Sequence, residues 1–194
     1  MKTFKSVIMV KYPKEEVWRA MRDRLPEMTP YLDDVAAITQ EERKEQADGS
    51  LKLINVWKAD IKIPSLFQSV IDPSTLSWTD RAEWFEKESR CRWTIEPHFF
   101  TDCIRCAGTT RFEPAIGGRG TRITFEGEME ILTKKIAGLP PFMEATAAKT
   151  VESLVISLIP KNFRKIIDAL SVLLKEKHPA KPAGACGAKF ARKT

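Results

Sequence analysis

From Val35 to Leu132 the apolar residues tend to recur at every second position, whereas from Pro141 to Lys177 they recur at every third or fourth. A change of period from 2 to 3.6 marks a sheet followed by helix. It predicts a chain that builds strands and hairpins first and lays a long helix against them last. The late stretch reads as a helix from Pro141 to Ile159, a break at Pro160, and a second helical piece from Lys161 to Lys177. In the first piece Met143, Ala147, Val151, Leu154 and Leu158 form one stripe, with Glu144, Lys149 and Glu152 largely off it. Ala145, Thr146, Ala147, Ala148 and Thr150 make its first half small, which leaves room beside a sheet rather than filling it. In the second piece Phe163, Ile166, Ile167, Leu170, Leu173 and Leu174 oppose Lys161, Arg164, Lys165, Asp168 and Lys175.

The chain opens with a short apolar run, Thr3 to Lys11, that reads as a strand. Pro13 then suits the first position of a helix to Arg24, and Glu15 and Glu16 occupy the first turn, where the helix dipole favours acids. Pro26 ends that helix, and Pro30 leaves space for one further turn. Val35–Glu45 and Leu51–Ile61 flank Asp48-Gly49, a hairpin signal. Leu51, Leu53, Asn55 and Trp57 share one parity, but Ile54 and Val56 occupy the other, so the inner face of this strand stays open. Ile63–Ile71 reads as a connector with one helical turn. Leu76–Lys87 and Cys91–His98 form a second hairpin, and a two-residue turn at Glu88-Ser89 would set Trp84 opposite Trp93. The third hairpin alternates cleanly: Ile104, Cys106, Gly108, Thr110 and Phe112 against Ile123, Phe125, Met129 and Ile131, around Gly117–Gly120.

The formal charge of +6 is concentrated at one end. Residues 175–194 hold six of the 32 Lys and Arg against one acid, leaving 26 basic and 25 acidic groups in the rest of the chain. A near-neutral body with a basic tail does not predict a nucleic-acid-binding face. The Pro, Ala, Gly and Lys composition after Pro179 predicts a disordered tail, so the chain divides into a domain at 1–178 and a tail at 179–194. No apolar run approaches the roughly 18–20 residues of a membrane span. No signal-like segment opens the sequence, which predicts a cytoplasmic protein. Cys103 and Cys106 are spaced C-x-x-C, but strand positions three apart point to opposite faces. His98 and His178 do not complete a zinc set. Half-buried thiols, and neither metal nor cofactor, are expected.

The order strand, helix, antiparallel strands and late helix resembles the START-like (SRPBCC) superfamily of polyketide cyclases, pollen allergens and lipid-transfer domains. The residues that carry the likeness are Val10-Lys11-Tyr12-Pro13-Lys14-Glu15-Glu16-Val17-Trp18, Gly108-Thr109-Thr110-Arg111-Phe112-Glu113-Pro114 with its glycine-rich hairpin, and Ile159-Pro160-Lys161-Asn162-Phe163. It spans about residues 3–175, and the plan is also similar to that of the PRELI-type phospholipid carriers. The resemblance implies an α+β helix-grip fold, in which a curved antiparallel sheet wraps round the long helix and an apolar cavity lies between them. It further implies a hydrophobic small molecule or lipid as partner, in a carrier or sensor, with a polyketide cyclase/aromatase-like enzyme as the alternative. Fold alone does not fix which.

Expected lining residues are Trp57, Trp78, Trp84, Trp93, Phe112, Phe125, Met129, Met143, Ala147, Thr150 and Leu154, since ligand cavities are mostly apolar and aromatic. Asp80 shares parity with Trp78 and Trp84. Either it points among aromatics, where desolvation would raise its pKa and make it the one catalytic candidate, or Arg81 and Glu83 point inward and Asp80 is a surface group. The second arrangement is the more ordinary. His98 reads as an exposed loop histidine, and Gly117–Gly120 as a hairpin turn rather than a phosphate cradle. The helix after Pro160, with the basic tail, is a candidate for transient membrane contact or protein interaction.

Overall fold

Strict alternation in the third hairpin gives the longest strand pair of the sheet. In a computed structural model, which describes residues 1–60, 76–98, 104–131 and 161–176, Ile104–Ala115 (β6) and Gly120–Ile131 (β7) pair antiparallel over their full lengths. The turn between them places Ile116, Gly117 and Gly118 at φ 51°, 61° and 82°. Two glycines suit that left-handed backbone, so the hairpin reading of this segment holds.

The other described strands are Lys2–Val10 (β1), Val35–Glu45 (β2), Leu51–Ala59 (β3), Ser77–Phe85 (β4) and Arg90–Pro97 (β5). All seven form one antiparallel sheet in the order β1-β7-β6-β5-β4-β3-β2. The first strand therefore leaves its sequence neighbours and closes the far edge against β7. A helix, α1 (Lys14–Asp23), and a 3-10 segment (Leu25–Tyr31) carry the chain from one edge to the other. Val17, Trp18, Ala20 and Met21 form the buried side of α1, and Met28 is buried in the 3-10 segment. The 3-10 segment is longer than the single turn the two prolines predicted. Residues 161–176 are helical (α2). They bury Phe163, Ile167, Leu170, Leu173 and Leu174, five of the six positions of the expected stripe. This is the α+β helix-grip fold. The longer helical reading, Pro141 to Ile159, and the tail at 179–194 lie outside the described residues.

A pair of glycines shapes the middle of the sheet. Gly108 and Gly127 face each other on β6 and β7, flanked by Trp93 on β5 and Phe4 on β1. A Cβ on Gly108 would come within 2.4 Å of the Trp93 ring. The bare backbone is what lets that indole lie across the inner face. Trp93 then stacks on Phe125 at 4.9 Å, and Phe125 on Phe163 of α2 at 4.0 Å and 9°. One aromatic column thus seats α2 on the sheet. Tyr31 Oη donates to Glu176 at 2.8 Å and Tyr12 Oη to the Ser171 carbonyl at 3.2 Å, tying α2 to the first third of the chain.

Trp84 does not face Trp93. The β4–β5 turn occupies four residues, 86–89, with Ser89 at φ 47°, so Phe85 pairs with Arg90. The two extra residues move the register. Trp84 meets Cys91, and Trp93 meets Ala82. The aromatic cross-strand pair that does form is Trp57 on Trp78, with ring centroids 5.4 Å apart and planes 17° from parallel.

Candidate ligand cavity

The inner faces of β3 to β7 and the start of β2, with α1, the 3-10 segment and α2, border a cavity of about 310 Å³. Three aromatic groups border it. Trp57 and Trp78 form one side. Trp84 and Phe112 form the second, with Trp18 edge-on behind both at 4.9 and 5.2 Å. Trp93, Phe125 and Phe163 form the third. The expected residues Trp57, Trp78, Trp84, Trp93, Phe112 and Phe125 are therefore brought together on one lining. Met129 is buried but stands outside it. Met143, Ala147, Thr150 and Leu154 fall outside the described residues.

Sequence reasoning missed several wall residues. Cys91, Ile95 and Pro97 share the inward parity of Trp93 on β5, and Cys106 and Thr110 share that of Phe112 on β6. Strand parity alone carried that signal. Met21, Leu25 and Leu32 are added by α1 and the residues after it, and Asn162, Lys165 and Ile166 by α2. Nothing local in the sequence ties those two segments to one another.

Few polar groups interrupt the wall, and Asp80 is the most consequential. The surface reading of this residue does not hold: Trp78, Asp80, Ala82 and Trp84 all line the cavity. Arg81 turns to the opposite face, where its Nε donates to Glu96 at 2.9 Å. Partner strands explain the choice, because Leu53, Asn55 and Trp57 are the buried set on β3 and sit opposite Ala82, Asp80 and Trp78. Asp80 is half-buried on that wall. Desolvation raises its pKa to about 6, and the hydrogen bond from Asn55 Nδ2 at 3.5 Å only partly opposes the rise.

Burial pushes the Cys106 thiol up to about 11 and holds Cys91 well above the ordinary thiol range, with Asp80 and Glu83 adding to the Cys91 shift. Both are free and buried, so neither is an activated nucleophile. Cys103 lies outside the described residues. Thr110 accepts a hydrogen bond from Trp93 Nε1 at 3.2 Å. The indole N–H groups of Trp18, Trp57 and Trp84 are buried with no partner among the described residues. At the rim Lys165 is engaged with Asp34. His98 is exposed, as expected, and its two ring nitrogens contact the hydroxyls of Ser77 and Thr79 at 2.7 and 2.8 Å. Among the described residues no group of three or more His, Cys, Asp or Glu could hold a metal ion, and no helix is long and apolar enough to cross a membrane.

The sequence profile of the family described as polyketide cyclase / dehydrase and lipid transport matches residues 1–159. The chain belongs to that family. Among solved structures, this family member is similar to TTHA0849 from Thermus thermophilus (20% identity, covering 89% of this chain and 99% of that one, TM-score 0.61). It is similar to the Zhui aromatase/cyclase from a Streptomyces species (14% identity, 95% and 98% covered, TM-score 0.62). It is also similar to norcoclaurine synthase from Thalictrum flavum (15% identity, 90% and 87% covered, TM-score 0.54). At these identities the likeness is one of fold. No curated protein sequence matches the chain significantly.

Proposed function

We propose that this member of the cyclase and lipid-transport family binds a hydrophobic small molecule between the sheet and its helices, as a carrier or sensor. The observation that carries the reading is the cavity itself: about 310 Å³ bounded by stacked aromatic and aliphatic side chains, with few polar groups. That volume falls at the low end of the roughly 300–1,000 Å³ usual for small-molecule sites, and suits a ring system better than a two-chain lipid. Apolar surface of this kind gains free energy when a ligand removes it from water.

A second reading is supported by Asp80. A carboxyl with a pKa of about 6, inside an apolar cavity, is poised for general acid or base work near neutral pH. The family description and the aromatase/cyclase among the similar structures agree with a cyclase-like enzyme on a hydrophobic substrate. Membrane contact would use the exposed basic side of α2, including Lys161 and Arg164, together with the tail. The place of Phe163 and Ile166 on the lining supports α2 as a wall of the cavity instead.

The test is a fluorescence titration with the neutral probe N-phenyl-1-naphthylamine. Saturable one-to-one binding is expected, weakened at least about tenfold when Ala82→Trp or Ile95→Trp fills the cavity, with circular dichroism confirming that each variant is folded. Absence of binding, or equal binding by both folded variants, would contradict the reading.

A further inference from the structure

Among the described residues the charges on the cavity wall do not balance. Its described lining holds two carboxylates, Asp34 and Asp80, and one cation, Lys165. The cation is engaged with Asp34 at the rim. Asp80 is left with the Asn55 amide, a neutral donor at 3.5 Å, as its one side-chain hydrogen-bond partner among the described residues. The cations on neighbouring strands are of no help. Lys52, Arg81 and Arg92 stand on the outer face, where they pair with Glu83 and Glu96. Buried charges are ordinarily matched by an opposite charge, because an unmatched one is costly to desolvate. Aromatic rings that can attract a cation line the same cavity. Trp57, Trp78 and Trp84 border the same space, and a cation held within about 6 Å of an indole face gains further attraction from the ring.

We infer that the ligand is a ring-containing amine, and that its ammonium group supplies the positive charge that no described residue brings to Asp80, while its apolar body lies against the tryptophans. The inference rests on the proposed binding role of the cavity and adds to it the chemical class of the ligand. A pKa of about 6 is consistent with it, being low enough for the carboxylate to be ionised at neutral pH. Besides Asp34 and Lys165, the titratable groups of the described lining are the Cys91 and Cys106 thiols, both held neutral by burial, so they do not supply the missing charge.

Two probes of matched size separate the possibilities: 1-naphthylmethylamine, cationic at neutral pH, and 1-naphthylmethanol, which can donate a hydrogen bond but carries no charge. Calorimetric titration of the full chain is expected to show the amine binding at least about tenfold tighter than the alcohol. In Asp80→Asn that preference is expected to shrink to within about twofold. Glu96→Gln, which removes a carboxylate from the outer face of the sheet and leaves Asp80 in place, is expected to keep the preference. An amine that binds no tighter than the alcohol, or a preference that survives Asp80→Asn, would overturn the amine assignment and leave hydrophobic binding standing. Failure of both probes to bind would overturn the binding reading itself, and the amine assignment with it.

Discussion

Asn55 and Asp80 stand opposite each other on β3 and β4, and the Asn55 amide donates to the Asp80 carboxylate at 3.5 Å beside a mainly apolar cavity. The long bond compensates the buried charge poorly. Burial places the Asp80 pKa at about 6 in the folded chain, against roughly 4 for an unfolded aspartate. Folding therefore favours the protonated form. The stability this contributes is fully present below about pH 4 and is lost as the pH rises through about 6. Asp80→Asn removes the ionisation while keeping the shape. Urea denaturation is expected to show the variant more stable than the wild type by about 2–3 kcal/mol near pH 7.5, and equal to it near pH 4. Equal stability at both pH values would contradict the assignment.

Gly108 is held by its neighbours on two sides. A Cβ there would lie 2.3 Å from the Glu126 carbonyl oxygen and 2.4 Å from Trp93. Backbone cannot give way as a flexible side chain can, so Gly108→Ala is expected to cost at least about 2 kcal/mol by displacing the Trp93–Phe125 stack. Thermal denaturation and near-ultraviolet circular dichroism would report both effects. An unchanged melting temperature would mean that the sheet relaxes there freely.

Phe163 is the point at which α2 grips the sheet, through its stack on Phe125 at 4.0 Å. Phe163→Ala is expected to destabilise the chain by about 3 kcal/mol. It should also raise amide exchange through residues 161–176 more than in the sheet. Uniform exchange throughout would assign the seating of α2 to other contacts.

The two buried thiols offer a chemical probe. Cys91 and Cys106 should resist iodoacetamide in the native chain and react once it is unfolded in urea, because both are buried and mainly protonated. Peptide mass spectrometry would resolve them. Rapid labelling of either in the native state would mean that its wall opens.

Much of this architecture was legible in the sequence, and the illegible parts have physical causes. On β6 and β7 every inward position is apolar, small or hydroxylic, while the outward ones are mostly charged or threonine, so parity was decided by pattern alone. On β3 both parities carry apolar residues, Ile54 and Val56 outside against Leu53 and Trp57 inside. On β4 an inward Asp80 lies among tryptophans. Pairing across the ladder, which is not local information, settled both strands. A four-residue turn in place of two shifted Trp93 from Trp84 to Ala82, since hairpin register depends on turn length. The helical contribution to the wall was the least readable. Met21 and Leu25 share one lining with Phe163 and Ile166 although they lie on distant segments that carry no common pattern.

Native mass spectrometry of the chain as purified from its expression host, followed by solvent extraction of anything bound, decides whether the cavity holds a ligand. A cavity built to hold a hydrophobic molecule should yield a discrete one-to-one adduct, or a clear thermal shift on screening a library of lipids and ring compounds. The adduct or shift should disappear in folded Ile95→Trp. A clean unliganded mass, with no shift across the library, would contradict the account and leave the cavity without a binding role.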